Sequence, residues 1–349
     1  MGRIGTRRRQ AGTLQSAVKP AHSTSFMRHS IIVETFGGPE QLNLVEEASL
    51  PLGENAARVA LRAIGVNRAD VLLRSGAYHG AQVPARPGIE ASGEVVESTS
   101  ASFPVGSRVV IFSNRTGLYT TETVALEQHM ALIPEGTSYE QAAALPINWL
   151  TAWYCIHSLL KLQAGETILI PAAVSGVGHA AIQISRQIGA RIIASASSDE
   201  KLAMAQQLGA DVVINYTSQD LVSAVREATD GKGVNTFLDA VGGKVFAQGL
   251  KVLAPFGRVA ALANVTLEDS LINTRDFYPK NAAIFGFQYG NLLASGRYLP
   301  NSDMSHILQY VAEGTFVPHI AQTFPLTNAA DAHRELESRN VMGKLLLIP

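Results

Sequence analysis

From residue 165 onward, short apolar runs alternate with helical segments of about 12 residues, and that rhythm admits few folds. The runs 167–170, 191–194, 211–214, 235–238, 258–262 and 283–287 read as strands. Between the first two, Val177, Ala181, Ile184 and Ile188 fall on one helical face, and Ser197 with Glu200 has capping-box spacing for the helix after the second. Strands joined through helices run parallel, because the crossover carries the chain back to where the previous strand began. The second half is therefore expected to be a doubly wound parallel sheet, whose ligands sit beyond the carboxyl ends of the strands.

The first half follows a different period. Residues 58–63 alternate as a half-buried strand does, 92–96 and 107–112 read similarly, and Gly37-Gly38-Pro39, Pro87-Gly88 and Pro134 punctuate them. Residues 30 to about 135 thus form a β-rich unit, and the closing apolar run from Lys344 to Ile348, with no helix after it, is free to return there. A chain of 349 residues exceeds what one core usually serves, so two domains are expected.

Composition excludes several classes. With 46% apolar and 16% charged residues and a net charge of −1, the chain offers no basic track for nucleic acid. No apolar stretch approaches the roughly 20 residues that span a bilayer. Cys155 is the single cysteine, so there is no internal disulfide and no cysteine-rich metal site, which suits a reducing compartment and a cytoplasmic location. Residues 1–26 stand apart: Arg3, Arg7, Arg8, Arg9 and Lys19 occur among Ser and Thr, and the first carboxylate is Glu34. That composition fits a mitochondrial transit peptide or an upstream start with Met27 opening the functional chain, and in either case lies outside the fold.

The turn from the first parallel strand into its helix, Ala173-Val174-Ser175-Gly176-Val177-Gly178, is where a pyrophosphate would meet free backbone N–H groups and the helix dipole. The usual Gly-x-Gly-x-x-Gly is degraded here, with Ala173 and Ser175 in place of two glycines, and a tight turn without a ligand is the alternative. At the end of the second strand, where NAD-preferring sites place a carboxylate for the ribose hydroxyl, the chain reads Ala194-Ser195-Ala196-Ser197. Ser197, Ser198 and Lys201 would suit a 2′-phosphate, so NADP(H) is the expected cofactor. The competing reading makes Lys201 a solvated residue paired with Asp199 or Glu200.

Phe36-Gly37-Gly38-Pro39-Glu40, Gly65-Val66-Asn67-Arg68-Ala69-Asp70, Arg74-Ser75-Gly76-Ala77-Tyr78, Pro87-Gly88-Ile89-Glu90-Ala91-Ser92-Gly93, Leu150-Thr151-Ala152-Trp153 and Leu336-Glu337-Ser338-Arg339 complete a collinear match. The chain resembles the zinc-independent quinone oxidoreductase (zeta-crystallin-like) branch of the medium-chain dehydrogenase/reductase superfamily from about residue 31 to 349. The resemblance implies an α/β fold, with a GroES-like β-rich catalytic domain (27–151 with 290–349) and a Rossmann domain (152–289). Relatives with catalytic zinc carry Cys at the position of Asn67, Gly-His-Glu at Gly88-Ile89-Glu90 and Cys at Ile147. Asn and Ile cannot replace thiolates on zinc, so metal-free hydride transfer to quinones or other α,β-unsaturated carbonyls is implied.

The same match places Tyr78, Asn67 and Thr151 at the nicotinamide, Tyr216 near the adenosine phosphate, Leu262 and Asn264 beside the nicotinamide half, and Arg339 at the cofactor from the C-terminal segment. Each has a plainer alternative: Tyr78 packing at a loop end, Asn67 stabilising a turn, Thr151 bonding its own helix, Arg339 paired with Glu335 or Glu337. A second tyrosine found in some quinone reductases is Leu72 here. His79 and His179 lie near the expected site without a role. Reduction of enoyl thioesters, and NADPH binding with little turnover as a crystallin-like or regulatory protein, remain open alternatives. The resemblance also implies a homodimer paired through the edge strand 283–287.

Overall fold

The computed structural model describes residues 1–2, 27–112 and 117–349. The arginine-rich leader falls on 3–26, outside the described residues. The six expected strands form one wholly parallel sheet: Thr167–Pro171, Arg191–Ala196, Val212–Asn215, Val234–Asp239, Leu253–Ala261 and Ala283–Gly286. In space they lie in the order third, second, first, fourth, fifth, sixth. This is the doubly wound order, with its switch point between the first and fourth strands. Helices on both faces leave a strand such as Thr167–Pro171 no wet side, which is why Ile168, Leu169 and Ile170 are at most 1% exposed and read as one apolar run.

The capping expectation is corrected. Helix Asp199–Leu208 is capped by Ser198, whose side chain accepts from the Lys201 amide at 3.4 Å, rather than by Ser197 with Glu200. The second strand runs to Ala196, with Ser195 and Ala196 paired to Ile214 and Asn215, so Ser197 is still leaving the sheet. Ser198 is the first residue placed to turn back onto the helix.

In the other half, the long strand Ala56–Val66 pairs antiparallel with Glu90–Ser98 and Glu122–Leu126. The terminal strand does return: Lys344–Ile348 lies antiparallel to Ala56–Val66, with Leu346 opposite Gly65, and parallel to Ile320–Pro325. Leu345, Leu346 and Leu347 are at most 1% exposed, and each such burial contributes about 1.5–3 kcal/mol. One apolar cluster bridges both halves, joining Val110 and Phe112 to Trp149, Leu150 and Ile156 and to Met304 and Ile307 of helix Asn301–Ala312. Cys155 is buried in it, and burial pushes its thiol up, which keeps it unreactive. Among the described residues, no helix is long and apolar enough to cross a membrane.

Gly249 lies inside helix Gly243–Lys251, where propensity alone favours Ala by about 1 kcal/mol. A Cβ there would overlap the ring of fully buried Phe237, and overpacking costs about 1–3 kcal/mol. Gly249→Ala is therefore expected to lower the urea midpoint despite its better helix propensity. A raised midpoint would show that the ring moves aside freely.

Candidate active site

The phosphate turn is built on helix Gly176–Ile188. Ser175 caps it, accepting from the Gly178 amide at 3.2 Å, and the amides of Gly176 and Val177 have no protein acceptor among the described residues. These two donors at the positive helix end suit an anion. The Ala173 amide is instead bonded to the Ser195 carbonyl at 3.2 Å and its side chain is buried, so Ala173 shapes the turn from beneath. The two retained glycines sit where neighbours approach: a Cβ on Gly178 would meet the Ala172 and Ala173 carbonyls, and one on Gly176 would overlap the Asn148 amide. Asn148 thus borders the turn, though nothing in its sequence position marks it.

Four expected cofactor residues converge at the carboxyl ends of the second and third strands. Tyr216 is 43% exposed and its amide bonds the Ala196 carbonyl, which sets it beside Ser197. Lys201 pairs with neither Asp199 nor Glu200; its ammonium donates to the Arg339 carbonyl at 2.9 Å. Arg339 takes a left-handed conformation (φ 62°) after helix Ala329–Glu337. Its side chain has no carboxylate partner among the described residues, because Glu337 is held by both Arg74 Nη atoms at 2.8 and 3.1 Å.

At the other end, Leu262 lines a cavity of about 710 Å³ with Ala261, Phe287, Gln288 and Arg297. Its amide bonds the Asp239 carbonyl. The Asp239 carboxylate turns back onto the amides of Val241 and Gly242, each at 3.1 Å, and burial pushes its pKa up to about 6. Asn264 stands over Gly242, but its side chain is engaged within its own loop, with the Glu268 carbonyl and the Thr266 hydroxyl at 2.9 Å. Thr151 is 6% exposed, and its hydroxyl has no protein partner among the described residues.

The Asn67 side chain reaches beyond its own turn and helix. Its Nδ2 donates to Glu90 Oε1 at 2.7 Å, and its Oδ1 accepts from Lys344 Nζ at 2.7 Å. Lys344 also pairs with Glu90 Oε1, and the Ile147 amide donates to Glu90 Oε2 at 2.7 Å. Glu90 is 0% and Lys344 4% exposed, a buried charge pair in which the carboxylate meets three donors. The side chain at position 67 is thus an amide locked between two charges, and Ile147 contributes only backbone.

Behind it, Asp70 accepts from the amides of Asn67 (2.9 Å) and Gly88 (2.8 Å), and burial raises its pKa to about 6. The Tyr119 hydroxyl lies between Asp70 (3.4 Å) and His333 Nε2 (3.1 Å). Burial, reinforced by the Arg74 charge, lowers the His333 pKa to about 3. His179 is also buried, with Nε2 on the Val317 carbonyl at 2.9 Å.

Tyr78 follows helix Arg68–Ser75 and is half-buried. Its hydroxyl accepts from Gln288 Nε2 at 2.8 Å, across the cleft. Leu72 lends Tyr78 only its carbonyl, at 3.0 Å. Neither Lys344 nor Gln288 was recognisable as a site residue in the sequence: one opens a terminal strand, the other closes an apolar run.

Comparison with known proteins agrees with this two-part fold. Residues 53–153 match the alcohol dehydrogenase GroES-like domain, and residues 176–309 match the zinc-binding dehydrogenase domain. The quinone oxidoreductase of Pseudomonas aeruginosa is 33% identical, over 93% of this chain and all of its own. The Escherichia coli quinone oxidoreductase solved with NADPH superposes with a TM-score of 0.85 at 31% identity, covering 92% of this chain and all of that one. A structure described as an NAD-dependent alcohol dehydrogenase fits equally well, at 0.84 and 31% identity, over 92% of this chain and 99% of that one. Backbone shape therefore does not choose the nucleotide or the substrate, and those rest on side chains. With a relative this similar along its whole length, and with the expected two-sheet architecture in place, the chain belongs to the quinone oxidoreductase family of the medium-chain dehydrogenase/reductase superfamily.

Proposed function

We propose that the protein is an NADPH-dependent reductase that passes hydride to quinones or other α,β-unsaturated carbonyls without a metal. The observation that carries this reading is the locked Asn67 amide, which with Ile89 and Ile147 replaces the side chains that would bind zinc. The cofactor fits the residues present: free amides of Gly176 and Val177 suit its pyrophosphate, and Ser197, Lys201 and Arg339 suit a 2′-phosphate with Tyr216 alongside. Thr151, Asn67, Leu262 and Asn264 flank the nicotinamide end. When bound, NADPH supplies the hydride.

The protein's own part is to steady the acceptor. Hydride addition to a quinone or enone leaves negative charge on oxygen, and an oriented hydroxyl stabilises that oxygen and can pass it a proton. Tyr78 is that hydroxyl, and its hydrogen bond with Gln288 leaves the phenol proton free to face a substrate. We also assign the catalytic domain to 27–151 with 290–349 and the Rossmann domain to 152–289. A homodimer is supported by exposed apolar side chains on the edge strand and in the segment leading to it: Ile284 at 39%, Leu267 at 72% and Leu271 at 88%.

NADPH oxidation in the presence of 1,2-naphthoquinone or a small enone is the direct test, and failure of every acceptor to exceed background would overturn the reading. Lys201→Ala should raise KM for NADPH about 10- to 100-fold and leave that for NADH unchanged, the loss of one charge-assisted phosphate contact. An equal effect on both nucleotides would place Lys201 elsewhere. Tyr78→Phe should keep NADPH binding while kcat falls about 100-fold. Unchanged turnover would remove Tyr78 from the mechanism.

A further inference from the structure

The contact between Tyr78 and Gln288 joins residues 210 apart in sequence, from opposite sides of the cleft. Gln288 follows the last parallel strand, Ala283–Gly286, and precedes helix Tyr289–Ala294. Its side chain caps that helix, with Oε1 accepting the Asn291 amide. That bond settles which way the amide faces: a backbone N–H requires the carbonyl oxygen, so the NH₂ group points at Tyr78. A phenol that accepts such a donor cannot return its own proton along the same line. Its O–H is therefore directed away from Gln288, which itself lines the cavity holding Leu262 and Phe287.

We propose that Gln288 is a positioning residue, which holds the Tyr78 oxygen as an acceptor so that the Tyr78 proton remains available to the substrate oxygen. The inference rests on the reading of Tyr78 as hydrogen-bond donor to the substrate. Its second element is polarity. Substituting a residue that cannot donate only loosens Tyr78, whereas one that accepts would capture the phenol proton. Gln288 is exposed, so substitutions there leave the core untouched.

The test compares Gln288→Leu and Gln288→Glu, each in the wild-type and the Tyr78→Phe background, by steady-state assay with NADPH and 1,2-naphthoquinone. Gln288→Leu should lower kcat about three- to tenfold with KM for NADPH unchanged, the range of one neutral hydrogen bond. Gln288→Glu should lower it further, because its second oxygen takes the Tyr78 proton and adds negative charge beside the developing oxyanion. Neither substitution should have an additional effect once Tyr78 is Phe. If Tyr78→Phe is impaired but both Gln288 variants turn over as wild type, the positioning role is overturned and the Tyr78 reading stands. If the Gln288 variants lose equal activity in both backgrounds, Gln288 does not act through Tyr78 and the inference fails. If Tyr78→Phe itself is fully active, the Tyr78 reading falls and takes this one with it.

Discussion

The buried contact among Lys344, Glu90 and Asn67 is the constraint on which the rest of the site depends. Two opposite charges are withdrawn from water there, a cost of several kcal/mol per ion that only close pairing and complete hydrogen bonding offset. Glu90 meets those conditions on its side: it receives Asn67 and Lys344 on one oxygen and the Ile147 amide on the other, while Lys344 also donates to Asn67. Each of the three donors comes from a different element. Lys344 opens the returning terminal strand, Asn67 precedes helix Arg68–Ser75, and Ile147 lies in helix Pro146–Tyr154, which carries Thr151 toward the second sheet. Removing one partner of such a pair typically costs 3–5 kcal/mol, so the strand return and the wall of the cleft stand or fall together.

The phosphate turn shows a different economy of means. A nucleotide turn needs free amides at a helix start and a backbone that neighbours can approach, and glycine is required only where a side chain would obstruct one of these. Gly176 and Gly178 meet that condition, against Asn148 and the Ala172–Ala173 carbonyls. Ala173 does not, because its methyl group is directed into the core and its amide is bonded to Ser195. Ser175 adds a cap that glycine could not provide. The strained step falls to Ala172, at φ 49°, one residue ahead of the motif. A motif with missing glycines is thus a complete turn whose duties are divided differently.

The same logic separates what the amino-acid sequence reveals from what it conceals. The parallel strands were legible because burial on both faces leaves continuous apolar runs; the proposed roles of Ser197, Lys201 and the turn residues came from counting along them, and that of Tyr216 from the family resemblance. The helix cap was misplaced by one residue, since two further sheet pairings beyond Ala194 depend on the neighbouring strand Val212–Asn215. Lys344 and Gln288 were hidden for a stronger reason: their partners lie 277 and 210 residues away, and no local pattern encodes so distant a polar contact. A lysine opening a strand ordinarily faces solvent; only the strand's position between Ala56–Val66 and Ile320–Pro325 makes this one internal.

Local polar bonds explain how residues far apart along a dinucleotide can share one frame. Helix Arg68–Ser75 is preceded by Asn67 and followed by Tyr78, both at the nicotinamide end of the proposed site. Helix Ala329–Glu337 is followed by Arg339, at the phosphate end. Between the two helices, Arg74 grips Glu337 with two hydrogen bonds and approaches His333 at 3.4 Å, while Tyr119 spans Asp70 and His333. A bidentate, largely shielded pair and a buried neutral imidazole resist the screening that weakens exposed charges. The spacing between Tyr78 and Arg339 is therefore set within the first sheet's own helices. From the parallel-sheet side, Lys201 bonds the Arg339 carbonyl and Gln288 bonds the Tyr78 hydroxyl, so each end of that frame carries one polar contact from across the cleft. A nucleotide lying along the frame would meet both contacts, which makes alignment of the two halves a condition for gripping phosphate and nicotinamide at once.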